Sequence, residues 1–246
     1  MIKFHKEIVV PLKVGCSTCN LRQLCLPSGL SEPDMDRLDA IVNCRRRVKG
    51  GQHLYRAGDK FQSLYAIRLG SFKTYESNKD GREQVNGFHL TGELIGLDAI
   101  GADTHAFNAI ALEDGEVCEI PFVKLEDLTR EIPPLQRQFH RLMSREISAD
   151  HQFMMVLGTL NAEERMAAFL LNMSERLRAR RLSPTVINIT MKREEIGNYL
   201  GLALETVSRM FSKLQEDALI EVERRRLTIK NISGLRKITE CNHVER

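Results

Sequence analysis

Between residues 15 and 27 the chain reads G-C-S-T-C-N-L-R-Q-L-C-L-P, so Cys16, Cys19 and Cys25 fall within ten positions of a 246-residue sequence that holds six cysteines in all. Thiols at this spacing can bind a metal, close a disulfide, or serve as small apolar side chains in an N-terminal arm. The pattern C-x2-C-x5-C supplies three ligands, one short of the four thiolates that a structural zinc or an iron–sulfur cluster takes. Whether a disulfide is an option depends on the compartment. The N-terminus, M-I-K-F-H-K-E-I-V-V-P-L-K, has an apolar run of only five residues, Ile8 to Leu12, with charges on both sides and no small-residue cleavage site behind it. No apolar run approaches the ~18 residues needed to cross a bilayer. These features predict a cytoplasmic protein with no membrane association, in which thiols stay reduced and structural disulfides are rare.

A second constellation lies in I-T-M-K-R-E-E-I-G-N-Y-L-G-L-A-L-E-T-V-S-R-M-F-S-K-L-Q-E, residues 189–216. Thr190 is the expected N-cap of a first helix, with Glu194 and Glu195 near its positive end. Ile196 and Leu200 give that helix an inward face, and Gly201 supplies a tight turn. A second helix follows from about Leu204 to Glu216, with Val207, Phe211 and Leu214 inward. Helix, short Gly turn, helix is the helix-turn-helix arrangement. Glu205, Ser208 and Arg209 share the opposite face of the second helix. There Arg209 can grip guanine O6 and N7, Glu205 can accept from cytosine N4, and Ser208 can reach a third base edge. The alternative is a solvated face carrying an intrahelical Glu205–Arg209 pair. Leu219 to Ile229 then reads as a β-hairpin with Arg224, Arg225 and Arg226 at its tip, suited to resting on phosphates.

Around these groups the chain has the makings of an α+β protein. Its 42% hydrophobic and 28% charged content is that of a soluble globular chain. The net charge of +3 is uneven: 16 Lys and Arg stand against 12 Asp and Glu from Asn161 onward, and 20 against 21 before it. From about Val48 to Ile120, short segments such as 63–69, 72–76 and 83–88 alternate with Gly-containing turns, the texture of an antiparallel barrel or jelly roll. After Pro133-Pro134 a stretch without Gly or Pro, Leu135 to Leu157, reads as one long helix that loosens at Gly158-Thr159. A further helix is expected from about Asn161 to Arg181. No internal repeat or low-complexity segment occurs. On the long helix His140, Met143, Ile147, Asp150, Met154 and Leu157 are spaced 3, 4, 3, 4, 3, a seam for packing against a copy of itself. Asp150 sits in the middle, where two copies of a carboxylate would repel across a two-fold axis. A dimer held near its break-even point could be switched by a small input elsewhere. The other option is that this face packs on the β domain, with Asp150 at its edge.

The order of a β-roll, a long helix and a winged helix-turn-helix resembles the CRP/FNR superfamily of bacterial transcription regulators, and within it the fumarate and nitrate reduction regulator (FNR) subgroup. The resemblance is carried by Cys16, Cys19 and Cys25, by G-F-H-L-T-G-E-L-I-G-L-D-A-I-G (87–101), V-C-E-I-P (117–121), N-A-E-E-R-M-A-A-F (161–169) and E-T-V-S-R (205–209), and extends from Cys16 to about Ile232. It implies an N-terminal antiparallel β-roll of the cyclic-nucleotide-binding type. The expected layout is a cysteine-rich arm over 1–29, the roll over 30–132, a dimerisation helix over 133–159, a DNA-binding domain over 160–235 and a tail over 236–246. It implies a [4Fe-4S] cluster held by Cys16, Cys19, Cys25 and, as fourth ligand, Cys118. By the same resemblance the cluster orders the arm against the dimer helix and offsets the Asp150 repulsion; oxygen converts it to [2Fe-2S] and the homodimer parts. Glu205, Ser208 and Arg209 match the subgroup's base readers, for an inverted repeat of TTGAT-like half-sites four base pairs apart. The RNA polymerase contact loop would correspond to Lys79, Asp80, Gly81 and Arg82. Zinc binding or thiol-redox sensing by the same cysteines is the alternative. Cys44 and Cys241 read as ordinary core or tail residues.

Two function classes fall away. Relatives that bind cyclic AMP use a β-roll arginine on the cyclic phosphate, yet here no arginine occurs between Arg82 and Arg130, and Lys124 is the only lysine. An enzyme finds no support in the scattered histidines, with no H-E-x-x-H, no phosphate-cradling Gly-rich loop and no G-x-S-x-G elbow. For the DNA-facing helix, replacing Arg209 is expected to cost about 1–3 kcal/mol at one base position of the operator. Affinities over a set of single-base operator variants check this; a uniform loss across sequences would make Arg209 a phosphate contact instead.

Overall fold

The computed structural model describes residues 15–42, 44–77, 81 and 83–240, for Cys44 the backbone alone. The arm begins with a single 3-10 turn at Cys16–Thr18, and the first helix, α1, is Glu32–Ile41. Ser31 caps α1 by accepting the Asp34 N–H, with Pro33 in the first turn where its missing donor is not needed. Eight strands follow: β1 Cys44–Val48, β2 His53–Tyr55, β3 Ser63–Leu69, β4 Phe72–Ser77, β5 Glu83–His89, β6 Leu94–Ile95, β7 Asn108–Ala111 and β8 Gly115–Pro121. They form two antiparallel sheets, ordered β1-β8-β3-β6 and β2-β7-β4-β5. Leu54, Phe72 and Ala109 of one sheet pack against Ile67, Ile95 and Val117 of the other in a shared core, which makes the pair a roll.

Helix α2, Phe122–Glu131, leads into α3, Pro133–Thr159. Both prolines fit the first turn of α3, where no intrahelical N–H partner is lost. The helix does not loosen at Gly158-Thr159 as its composition suggests but runs through both residues. One glycine costs a helix only about 1 kcal/mol against alanine, and the stop is set instead by the next cap. Asn161 opens α4, Ala162–Ala179, with its side chain accepting the Glu163 and Glu164 N–H groups while the Glu164 carboxylate accepts the Asn161 N–H. The remaining elements are β9 Val186–Asn188, α5 Arg193–Leu200, α6 Leu204–Glu216, β10 Ile220–Glu223, β11 Arg226–Ile229 and α7 Ile232–Glu240, with the small sheet ordered β10-β11-β9.

Helix α5 starts later than the Thr190 cap implies. Its N-cap is Lys192, whose N–H donates to Glu195 at 2.7 Å. The Thr190 hydroxyl is taken by Ser71 of the roll, 2.8 Å away. A contact between distant segments has displaced a local one.

The winged domain shares its core with the roll. Tyr75, Val85 and Phe88 pack with Met166, Phe169, Leu200 and Val207 in one cluster. Asn198 of α5 extends the free edge of β5 as a strand would: its Nδ2 donates to the Glu83 carbonyl and its Oδ1 accepts from the Val85 N–H. Lys73 reaches Glu195 at 2.9 Å. Phe153 of α3 stacks on Tyr199 of α5 at 4.0 Å between centroids. On the far side, half-buried Glu93 pairs with Arg176 at 2.6 Å and with Arg180, while those arginines donate onward to the Phe88 and Thr91 carbonyls.

Burial alone would raise the Glu93 carboxyl, but the two guanidinium groups, Arg176 foremost, outweigh it and hold it at about 2. A depressed carboxyl stabilises the fold above its ordinary pKa of 4.5, and that contribution is lost as pH falls through about 2. Glu93→Gln should therefore lower stability at neutral pH by about 2–3 kcal/mol and flatten its decline between those two pH values. Urea unfolding of both proteins over that window checks this; parallel pH profiles would count against it.

Candidate metal centre and nucleic-acid interface

Cys16, Cys19, Cys25 and Cys118 border one pocket, although Cys118 is far along the chain on β8. The remaining lining is mostly aliphatic, with Leu21, Leu26, Ile67 and Ile120, and its charged members are Arg22 and Arg68. The arm reaches this position by successive turns, in which the Cys19 N–H donates to the Cys16 carbonyl and the Cys25 N–H to the Leu21 carbonyl. Fully buried Leu26 anchors it in a second core with Leu38, Leu64, Leu125 and Leu135. Asp39 of α1 accepts the Cys16 N–H at 2.9 Å. Gly92 of the T-G-E turn, at φ +90°, brings the roll so close that a Cβ there would lie 3.2 Å from Leu24. Buried Gln138 of α3 donates its Nε2 to the Cys25 carbonyl at 3.1 Å, which joins the arm directly to the long helix.

Burial, and then neighbouring negative charge, push the thiols of Cys16, Cys25 and Cys118 up. The Cys25 thiol rises to about 12, and Cys16 and Cys118 shift the same way. Part of each shift is repulsion from another of the four: Cys25 and Cys118 on Cys16, Cys118 and Cys19 on Cys25, Cys19 on Cys118. Four thiolates can share this pocket only if cationic charge offsets them, which is the condition a thiolate-bound metal centre meets. Among the described residues no three His, Cys, Asp or Glu side chains are gathered tightly enough to hold a single metal ion; the four cysteines share the lining of one pocket. The side chain of Cys44 and all of Cys241 lie outside the described residues.

On α3, Ile147 and Met154 are 56% and 59% exposed, so this part of the apolar seam faces away from its own chain. His140 is exposed too, while Met143 and Leu157 are half-buried. Exposed Asp150 borders both faces. Burial raises the neighbouring Glu146 to about 7, with Glu93 and Asp150 adding to the shift and Arg176 opposing it. The alternative of packing on the β domain thus holds for Met143, which packs against the core with Leu64 and Ile120, and not for Ile147 or Met154.

On α6, Val207, Phe211 and Leu214 are buried while Glu205, Ser208 and Arg209 are exposed. The intrahelical Glu205–Arg209 pair is not formed; Arg209 donates to the Thr206 hydroxyl at 3.2 Å. Gly201, in the left-handed region at φ +65°, turns the chain between α5 and α6. Arg224, Arg225 and Arg226 are exposed at the β10–β11 turn, with Arg224 at φ +57°. Lys79, Asp80 and Arg82 lie outside the described residues, and Gly81 alone of that loop is described, at φ +75°.

Inside the roll, Tyr55 stacks on buried His105 at 3.6 Å, and the His105 Nδ1 stands 3.5 Å from Asp98. Burial opposes it, yet the neighbouring His105 ring and hydrogen bonds from the Ala106 and Phe107 N–H groups keep the Asp98 carboxyl below its ordinary range.

Gln138, Glu93 and Arg165 were not singled out by the sequence. Glu93 and Arg165 lie within the family-like stretches 87–101 and 161–169, which was their only signal. Gln138 carried none, since a polar residue in a helix is commonplace.

A roll joined through a long helix to a winged helix-turn-helix is the architecture of Crp-type DNA-binding regulators. A family model described as a Crp-like helix-turn-helix domain matches residues 164–238, and one described as a cyclic nucleotide-binding domain matches 45–131. The chain is 44% identical over 225 residues to the fumarate and nitrate reduction regulatory protein of Escherichia coli K12, covering 92% of this chain and 90% of that one. It is 45% identical over 222 residues to the protein of that name from Salmonella typhimurium LT2, covering 90% and 89%. FixK2 from Bradyrhizobium japonicum is a structural neighbour with a TM-score of 0.73 and 28% identity, covering 79% of this chain and 96% of FixK2. The c-di-GMP responsive global regulator CLP of Xanthomonas campestris, at 22% identity and TM-score 0.64 over 81% and 99%, shares the fold. The chain belongs to the CRP/FNR family, in its fumarate and nitrate reduction regulator group. It is a DNA-binding transcription regulator and not an enzyme. Among the described residues no helix is long and apolar enough to cross a membrane.

The Gln138–Cys25 contact carries its own test. Gln138→Ala removes the hydrogen bond from α3 to the Cys25 carbonyl, which keeps only the Ser28 N–H at 3.2 Å, and should cost about 1 kcal/mol, felt mainly by the arm. Hydrogen exchange at Cys25 to Ser28, compared with the roll strands, checks this; unchanged protection of the arm would count against it.

Proposed function

We propose that this chain is an oxygen-responsive regulator of anaerobic metabolism genes, which it activates or represses, and that Cys16, Cys19, Cys25 and Cys118 hold a [4Fe-4S] cluster. The observation that carries this reading is the meeting of four thiols at one pocket whose arm is hydrogen-bonded to α3. The donor set fits, because four thiolates that repel one another in an apolar setting require cationic charge among them. When bound, the cluster supplies an oxygen-labile centre of charge and bonding. The chain's own residues do the rest. Leu26 and Gln138 hold the arm on the start of α3, and Ile147 and Met154 offer the seam to a second copy. Asp150 places a carboxylate beside that seam, so the homodimer forms only when ordering of the arm outweighs the repulsion.

In the dimer, Glu205, Ser208 and Arg209 read TTGAT-like half-sites of an inverted repeat, and Arg224, Arg225 and Arg226 rest on phosphates. Their exposure opposite the buried face of α6 supports this. The loop at Lys79, Asp80, Gly81 and Arg82 would meet RNA polymerase. Cyclic nucleotide is not the effector in this reading: no arginine between Arg82 and Arg130 is there to pair with its phosphate, and the Asp98 carboxylate, held low beside the Tyr55–His105 stack, would repel it. The reading carries a cytoplasmic location with it.

Anaerobic purification should give a brown protein that contains iron and acid-labile sulfide, binds its operator, and loses both colour and DNA affinity in air. A colourless protein with zinc would overturn the cluster. Operator binding that is unchanged by air would overturn the oxygen response. Asp150→Ala should make the metal-free protein dimeric at micromolar concentration by sedimentation; a monomer would remove the repulsion from the scheme.

A further inference from the structure

The segment N-A-E-E-R, residues 161–165, has no role in cluster or base recognition, yet its last residue occupies the junction of three helices. Arg165, in the first turn of α4, donates its Nη2 to the Leu157 carbonyl at 2.7 Å and its Nε to the Leu160 carbonyl at 2.9 Å. Its Nη1 donates to the Leu200 carbonyl at 3.1 Å. Leu157 and Leu160 end α3, and Leu200 ends α5. Carbonyls in a last helical turn lack intrahelical donors, and the negative ends of two helix dipoles point at this one cation. A guanidinium offers five N–H groups in a rigid fork, so it can serve three carbonyls from two helices at once; an ammonium has no such geometry. The Nη1 also lies 3.3 Å from where a Cβ on Gly201 would be, so the turn before α6 is seated on the same group.

We propose that Arg165 is the positioning residue that fixes the aim of α6 relative to α3, and thereby the separation of half-sites that the dimer accepts. This rests on the dimeric, DNA-reading function proposed above. In a two-fold regulator the half-site spacing follows from where each recognition helix stands relative to the axis, and α3 is the element at that axis. Glu93 with its arginines and Asn198 with β5 tie the winged domain to the roll. The Phe153–Tyr199 stack does touch α3, but stacked rings can slide. Three directional hydrogen bonds from one rigid group hold both angle and distance.

The test uses the full-length protein, prepared anaerobically with its metal centre, and duplexes carrying two TTGAT half-sites whose spacer changes one base pair at a time. Wild type should prefer one spacer by about tenfold over its neighbours. Arg165→Lys and Arg165→Ala should flatten that preference to about threefold or less, or move its maximum. Gly201→Ala, which keeps the guanidinium and displaces it, should alter the profile as well. Should a variant fail to fold by circular dichroism, the other two carry the measurement. Variants that retain the wild-type profile, with affinity scaled down equally at every spacing, would overturn the inference and leave Arg165 a stability residue. A wild type that binds all spacings alike, or none, would instead overturn the dimer reading, and the inference with it.

Discussion

Four thiols border one apolar pocket, where burial and mutual repulsion favour the neutral form of Cys16, Cys25 and Cys118 unless a cation offsets the charge. In the proposed scheme that constraint ties the N-terminal arm to what the pocket holds. The arm contributes little core of its own beyond Leu26, and its polar ties are few: Asp39 to Cys16, Gln138 to Cys25. A device with a large intrinsic stability could not be moved by one site.

Helix α3 is the shared frame. Its first turns are buried with the arm and α2, through Leu135 and Phe139; its middle offers Ile147 and Met154 outward; its end is held by Arg165 and by the Phe153–Tyr199 stack. In the scheme proposed above, the arm's anchorage, the dimer seam and the seat of the winged domain thus lie along one rod of 27 residues. The rod itself need not bend for one end to affect the other. What changes is which partners its three faces keep.

Local patterns were legible in the sequence where neighbours along the chain decide the outcome. Alternation marked 63–69 as a strand, and it is one, over those same residues. The apolar period marked Leu204 to Glu216 as a helix with the right inward face. Thr190 was misjudged because the capping hydroxyl it offers was claimed by Ser71, far away in the chain. The break expected at Gly158 moved because Asn161 makes a better start than glycine makes a stop. Glu93, Gln138 and Arg165 act only across the fold, and periodicity carries no information about such pairs. Cys118 came from family resemblance alone; an isolated cysteine on a strand otherwise reads as core.

The continuous core between roll and winged domain has a bearing on modularity. Tyr75, Val85 and Phe88 are as much part of the DNA-binding domain's interior as of the sensor's. Cutting the chain before α4 would uncover an aromatic face on each half, and a winged domain transplanted onto another sensor would arrive with a mismatched socket. A substitution at that boundary is thus felt by sensor and reader alike, because each supplies part of the wall the other packs against.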